Sequence, residues 1–159
     1  DISDKDQGYI LEKYSNAKST GGFGVDQTFV DTDFPLFRLA DVYLMYAEAH
    51  LRGGTGANPA DLLTYVNSLR TRANNPQNNL TIADIDLDFI IDERARELHW
   101  EAHRRQDLIR FGRFTGGNYN WVWKGNGTSG ISIPSNLRLY PIPSASLASN
   151  PNLVQNAGY

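Results

Sequence analysis

The chain has 159 residues, 40% of them hydrophobic and 21% charged, with a formal net charge of −3. That length suits one domain with an apolar core, and that composition argues against a chain disordered along most of its length. The slightly acidic balance speaks against a nucleic-acid backbone as main partner, no run approaches the ~18–20 apolar residues of a membrane span, and the absence of cysteine excludes disulfides, thiol catalysis and thiolate metal sites.

Residues 1–35 show no helical period, with glycines at 8, 21, 22 and 24 and aspartates at 26, 31 and 33. They read as loop, with a short extended piece around Gly8–Tyr14. The polar, acidic opening has no signal-peptide character. So long an irregular lead-in is uncommon in a complete domain, so the start is expected to be a cut inside a larger protein.

A first helix is predicted from Leu36. Leu36, Ala40, Tyr43, Ala47 and Leu51 recur at helical spacing, and Leu39, Val42, Tyr46 and Ala49 fill the adjoining face. A helix this apolar around its circumference is buried on more than one side, and Gly53-Gly54 ends it. Asn58 then caps a second helix that has Pro59 at its first position and Leu62, Val66, Leu69 and Ala73 on one stripe. Asn74-Asn75-Pro76 closes it, and the short connection makes the two helices an antiparallel hairpin. No repeat of about 34 residues is present, yet the hairpin has the size of a tetratricopeptide-like pair.

Thr81-Ile82-Ala83-Asp84 is a capping entrance followed by a tight turn. From Leu87 the stripe Leu87, Ile91, Ala95, Leu98 and Ala102 predicts one long helix, bent near Ala102–His103 and stopped by Gly112. Residues 114–130 hold five glycines, three asparagines and four aromatics, and so form a loop carrying large side chains. Leu137–Ile142 reads as extended and Ser144–Ser149 as one short turn.

Three constellations invite chemistry. His99 and His103 stand four apart, the spacing by which a helix chelates zinc, but Trp100 occupies the position of the zincin glutamate and no third ligand is evident. No metal site is assigned. The stretch from Asp92 to Arg113 holds five acids and six arginines. Carboxylates on one helix cannot straddle a sugar ring as hydrolysis requires, so no catalytic residue is assigned. The better reading is a structural ion-pair network of Arg38, Glu48, Glu93, Arg94, Glu97, Arg104, Asp107 and Arg110, with Arg96 beside them. Finally, Tyr119, Trp121 and Trp123 alternate on one side of an extended segment, and with Asn120 they could stack on and hydrogen-bond a pyranose. Rings that simply hold a glycine-rich loop onto the helices are the competing reading, and the favoured one.

Three stretches together resemble one family. Phe37–Ala49 (FRLADVYLMYAEA) resembles a helix of the SusD/RagB family. Asp92–Leu98, continued by Glu101, Arg104 and Asp107–Gly112, is similar to that family's "ERxxEL…DLIRWG" segment. Leu139–Pro143 and Asn150–Tyr159 resemble its "PIP…NPNLxQNPGY" ending. Ala102 stands where the family usually has glycine, and Ala157 replaces a usual proline. The likeness runs from about Gly8 to the last residue.

The resemblance implies a mainly α fold, a helical hairpin plus a further long helix with extensive irregular loops, forming the carboxyl-terminal part of a tetratricopeptide-like superhelix. In this reading, 1–35 is a lead-in loop, 36–112 the helical core and 113–159 the aromatic loop and terminal segment. Full members are longer surface lipoproteins of the outer membrane in Bacteroidetes-type bacteria. They bind glycans, sometimes peptides, and form a lid on a SusC-like TonB-dependent transporter. The implied partners are that transporter, an oligosaccharide or polysaccharide, and the amino-terminal half of the same protein, with the lipid anchor upstream and no cofactor. Some members carry a W-x-W-K-G stretch like Trp121–Gly125, which favours a structural role for those tryptophans. Without its other half, the chain is expected to self-associate or to retain a cleaved amino-terminal piece. A scaffold segment with no ligand site of its own is the alternative, with a glycoside hydrolase the most remote.

Overall fold

Asn58 opens α2 (Pro59–Arg72) as its position predicts: its Oδ1 accepts the Ala60 N–H at 3.0 Å while Pro59 fills the first turn. The computed structural model describes residues 13–18, 20–26, 28–117, 119–120, 122 and 127–159. Among these the regular elements are helical: α1 (Leu39–Leu51), α2, α3 (Leu87–Glu97), α4 (Arg104–Arg110) and the short α5 (Ser144–Ser149), with 3-10 turns at Ile82–Asp84 and Ser135–Arg138. The class is mainly α, as expected. The chain divides into two units, Asp1–Leu39 and Ala40–Tyr159.

In the first unit one side chain organises the loop. Asn16 Oδ1 accepts the Asp31 N–H at 3.0 Å, and Nδ2 donates to the carbonyls of Asp26 at 2.6 Å and Phe29 at 3.2 Å. Asp26 accepts the N–H groups of Thr28 and Phe29, and these two bonds hold its carboxyl below the ordinary range. Gly24 passes so close that a Cβ there would collide with the Asn16 carboxamide. Lys13 and Tyr14 form a turn rather than an extended strand, and the rest of the piece expected at 8–14 lies outside the described residues.

α1 begins at Leu39, three residues later than its apolar pattern suggests. Leu36 and Phe37 are largely exposed, so they contribute no packing that would hold an extra first turn. In the second unit Leu44 and Ala47 of α1 meet Leu62, Val66 and Leu69 of α2, with Ile85 and Ile90 closing the cluster. Tyr65 stacks on Tyr43 at 4.3 Å and meets Tyr46 edge-on at 5.3 Å. The Tyr46 hydroxyl accepts the Asn58 N–H at 2.7 Å, so the pair runs antiparallel as a hairpin.

The capping box at Thr81 forms, with Asp84 accepting the Thr81 N–H at 2.8 Å, and Asp86 then caps α3 through the Phe89 N–H at 2.7 Å. Adjacent residues of α3 serve two cores. Ile90 packs into the hairpin cluster, while Ile91 joins Leu108, Phe114 and Ile133.

The single long helix expected from Leu87 is two helices. α3 stops at Glu97 and α4 starts at Arg104, and the turn between them places Trp100 and Ala102 both at φ +62°. That is left-handed backbone, which costs an L residue roughly 1–2 kcal/mol. The stripe therefore ends at Leu98, and Ala102 lies outside any helix. The break turns α4 back toward α3, and the two helices come into backbone contact.

The terminal segment is fastened by amide side chains. Gln155 accepts the Ile142 N–H at 2.8 Å and donates to the Ile142 carbonyl at 3.0 Å, as a neighbouring strand would. Asn156 Nδ2 donates to the Tyr140 carbonyl at 2.8 Å, and the Tyr159 hydroxyl donates to that of Leu139 at 2.6 Å. No helix among the described residues is long and apolar enough to cross a membrane.

Candidate functional site

Buried charges converge where α1, α3 and α4 meet. Arg94 of α3 lies 2.8 Å from Asp41 of α1 and 2.9 Å from Asp107 of α4, with all three side chains buried. Its N–H groups are not aimed at those oxygens, so these are charge contacts rather than well-aligned hydrogen bonds. Asp107 also accepts from Arg110 at 2.9 Å. Arg110 grips Glu48 with two hydrogen bonds, Nε at 2.8 Å and Nη2 at 2.7 Å, and Arg52 adds a third at 2.8 Å.

The chain Asp41–Arg94–Asp107–Arg110–Glu48–Arg52 alternates in sign and sums to zero, the condition under which charges can be buried together. Burial alone would push the Glu48 carboxyl up, but the hydrogen bonds and charges of Arg110 and Arg52 outweigh it and hold the carboxyl below its ordinary range. The hydrogen bond to Glu48 raises Arg110 in turn, against the opposing effect of burial.

A second set lies between α2 and α3. Glu93 accepts from Arg70 at 2.9 Å, with both side chains buried, and from Arg96 at 2.7 Å. Glu97 pairs instead with Arg72, whose guanidinium is largely exposed.

The residues singled out in the sequence thus separate. Glu48, Arg94, Asp107 and Arg110 are brought together, and Glu93 belongs to the α2–α3 set. Arg104 departs from the expected network: the turn before α4 aims it at backbone, where Nη1 donates to the Ile91 carbonyl at 3.0 Å. Arg38 is half-buried in the first unit. Asp41 and Arg70 escaped sequence reasoning because their partners come from other helices, whereas Arg52 pairs with Glu48 only four residues before it. Arginine density in the 92–113 stretch is a signal that acids elsewhere are needed, but not which ones.

The helical premise for a His99/His103 chelate fails, since neither residue lies within a helix. Tyr119 and Asn120 are exposed, while Trp121 and Trp123 lie outside the described residues. Trp100 is the one described tryptophan. Beside it is a cavity of about 470 Å³ lined by Arg94, Leu98, Trp100, Arg104 and Arg105, among others.

Known proteins are similar to this chain along its length. A model of the SusD family matches residues 2–159. "Starch-binding protein SusD" of Bacteroides thetaiotaomicron is 42% identical over 158 residues, which cover 99% of this chain and 27% of that protein. "SusD-like protein P25" of Formosa agariphila is 45% identical over 83 residues, 48% of this chain and 15% of the relative. "SusD-like protein P38" of the same organism is 33% identical over 138 residues, 81% of this chain and 25% of the relative. The chain therefore spans about a quarter or less of the length of these curated relatives.

Proposed function

The chain belongs to the SusD family, and on that premise we propose that it is part of a cell-surface glycan-binding protein that captures nutrient oligosaccharide and delivers it to a SusC-like TonB-dependent transporter in the outer membrane. The observation that carries this reading is its likeness to a starch-binding protein along 99% of its length. The role is binding, not turnover. Glu48, Glu93 and Asp107 are each clasped by two guanidiniums, so the acids of the helical core serve architecture rather than general acid–base work. Tyr119, Asn120, Trp121 and Trp123 remain the glycan contacts proposed from sequence, with the lipid anchor on a preceding segment.

A scaffold role is favoured by a different observation. Val42 and Met45 of α1 are 48% and 43% exposed, an apolar face suited to packing against further polypeptide. Affinity electrophoresis and calorimetry with soluble starch and maltoheptaose, run on this chain and on the longer protein, separate the two. Retention of both proteins supports a ligand site here. Binding by the longer protein alone assigns this portion to scaffolding, and binding by neither, of these or of acidic oligosaccharides, overturns the glycan reading.

A further inference from the structure

The turn between α3 and α4 holds a bulky aromatic in left-handed backbone and then leaves it in solvent. Trp100 has φ +62° and is 66% exposed. A conformation so rare for a large side chain persists only where the surroundings enforce it. Burial of the indole does not compensate for it in this chain. The ring instead stands in the wall of the 470 Å³ cavity, a volume within the range of small-molecule sites.

The charge around that cavity is one-sided. Among the described residues, no aspartate or glutamate lines it. The charge of Arg94 is met by Asp41 and Asp107. Among the described residues, Arg104 and Arg105 donate to carbonyls rather than carboxylates: Ile91 for Arg104, and Leu137 and Arg138, each at 3.1 Å, for Arg105. The Arg105 guanidinium is also fixed against two rings, Phe114 at 4.3 Å and Tyr140 at 4.5 Å. Two guanidinium charges that no carboxylate among the described residues meets thus flank an exposed indole.

We propose that the α3–α4 turn is a subsite for an acidic sugar, a pyranose carrying a carboxylate or a sulfate, with its apolar face on Trp100 and its anionic group toward Arg104 and Arg105. The proposal rests on the glycan-binding reading above and adds the class of glycan. Aromatic faces stack on the C–H face of a pyranose. The hydroxyls of a neutral sugar call for acceptors as well as donors, and this lining lacks carboxylate acceptors. An anionic substituent needs donors alone, and arginine supplies them in paired geometry.

The test is calorimetry on the 159-residue chain with a trigalacturonide, a sulfated galactan oligosaccharide and maltoheptaose. The two anionic probes distinguish a uronate from a sulfate ester. At least one should bind, weaken as salt is raised, and lose tenfold or more in affinity in Trp100→Ala and in Arg104→Ala. Trp100→Phe, which keeps a ring, should retain most of the binding, and Arg104→Lys, which keeps the charge but not the paired donors, should retain part of it, so that the two guard against a folding defect. Maltoheptaose binding with no response to the anionic sugars would overturn the subsite and leave the glycan reading standing. No binding of any probe overturns both for this chain. Anionic binding unchanged in Trp100→Ala, or an indole covered by polypeptide in the longer protein, also overturns the subsite.

Discussion

Arg94 of α3 and Asp107 of α4 approach to 2.9 Å in the interior, and Arg94 reaches Asp41 of α1 at 2.8 Å on its other side. One guanidinium therefore joins three helices, and the broken segment between α3 and α4 is what brings the second carboxylate within reach. Removing one partner leaves an uncompensated buried charge, which costs about 3–5 kcal/mol. Asp107→Asn should lower stability on that scale in urea titrations. Asp88→Asn should cost about 1 kcal/mol or less, because its side chain is largely exposed where it meets Arg113. Equal losses in the two variants would contradict the division between buried and surface pairs.

Acid should unfold the protein through the same network. The Glu48 carboxyl is held below its ordinary range when folded, so the unfolded state binds its proton at higher pH. The stability it contributes is complete above the ordinary carboxylate pKa and is lost as pH falls through the lower folded value. Thermal melts between pH 7 and pH 3 should therefore fall steadily at the acid end. Glu48→Gln should be less stable at neutral pH and show a shallower acid slope. A parallel slope in the variant would remove Glu48 as a cause.

Ala102 offers a change in the stabilising direction. Its φ of +62° is backbone that glycine adopts freely and alanine only at a cost. The usual glycine of the family at this position thereby gains a physical reason. Ala102→Gly should stabilise the chain by about 1 kcal/mol, the penalty relieved being partly offset by the greater freedom of glycine in the unfolded state. Ala102→Val should destabilise it by more, because β-branched residues fit left-handed backbone worst. A lower melting temperature for the glycine variant would show that the turn draws its shape from something other than backbone preference.

Signals contained in a few consecutive residues were legible in the sequence. Asn58-Pro59 and Thr81–Asp84 satisfy their own first-turn amides, so their structure follows from local chemistry. The α2 side of the hairpin core, Leu62, Val66 and Leu69, follows from period alone, whereas on α1 the predicted stripe includes Ala40 and Ala47 but misses Leu44. The break after Glu97 was not legible, since Leu98 and Ala102 continue the apolar stripe and no glycine or proline interrupts it. The ionic site was half legible for the same reason. Arginine-rich text marks α3 and α4, but Asp41 and Arg70 lie on helices whose local sequence gives no hint of a charged partner.

The last expectation concerns the outer face of α1. Val42 and Met45 are a turn apart, both about half exposed, and Leu39 one turn earlier is exposed further still. Helical spacing puts all three on one stripe, opposite the side that Leu44 and Ala47 bury. Contiguous apolar surface of this kind finds a partner when one is present, and in relatives roughly four times longer there is much more chain to supply it. Purified alone, the 159-residue chain should therefore run heavier than a monomer in multi-angle light scattering and bind a hydrophobic dye. The double variant Val42→Glu/Met45→Glu should return it to a monomer and silence the dye. Its melting temperature should stay near that of the parent, because neither side chain contributes to the buried core. A monodisperse, dye-silent parent would show that this stripe is too small to recruit a partner, and the self-association proposal would fall with it.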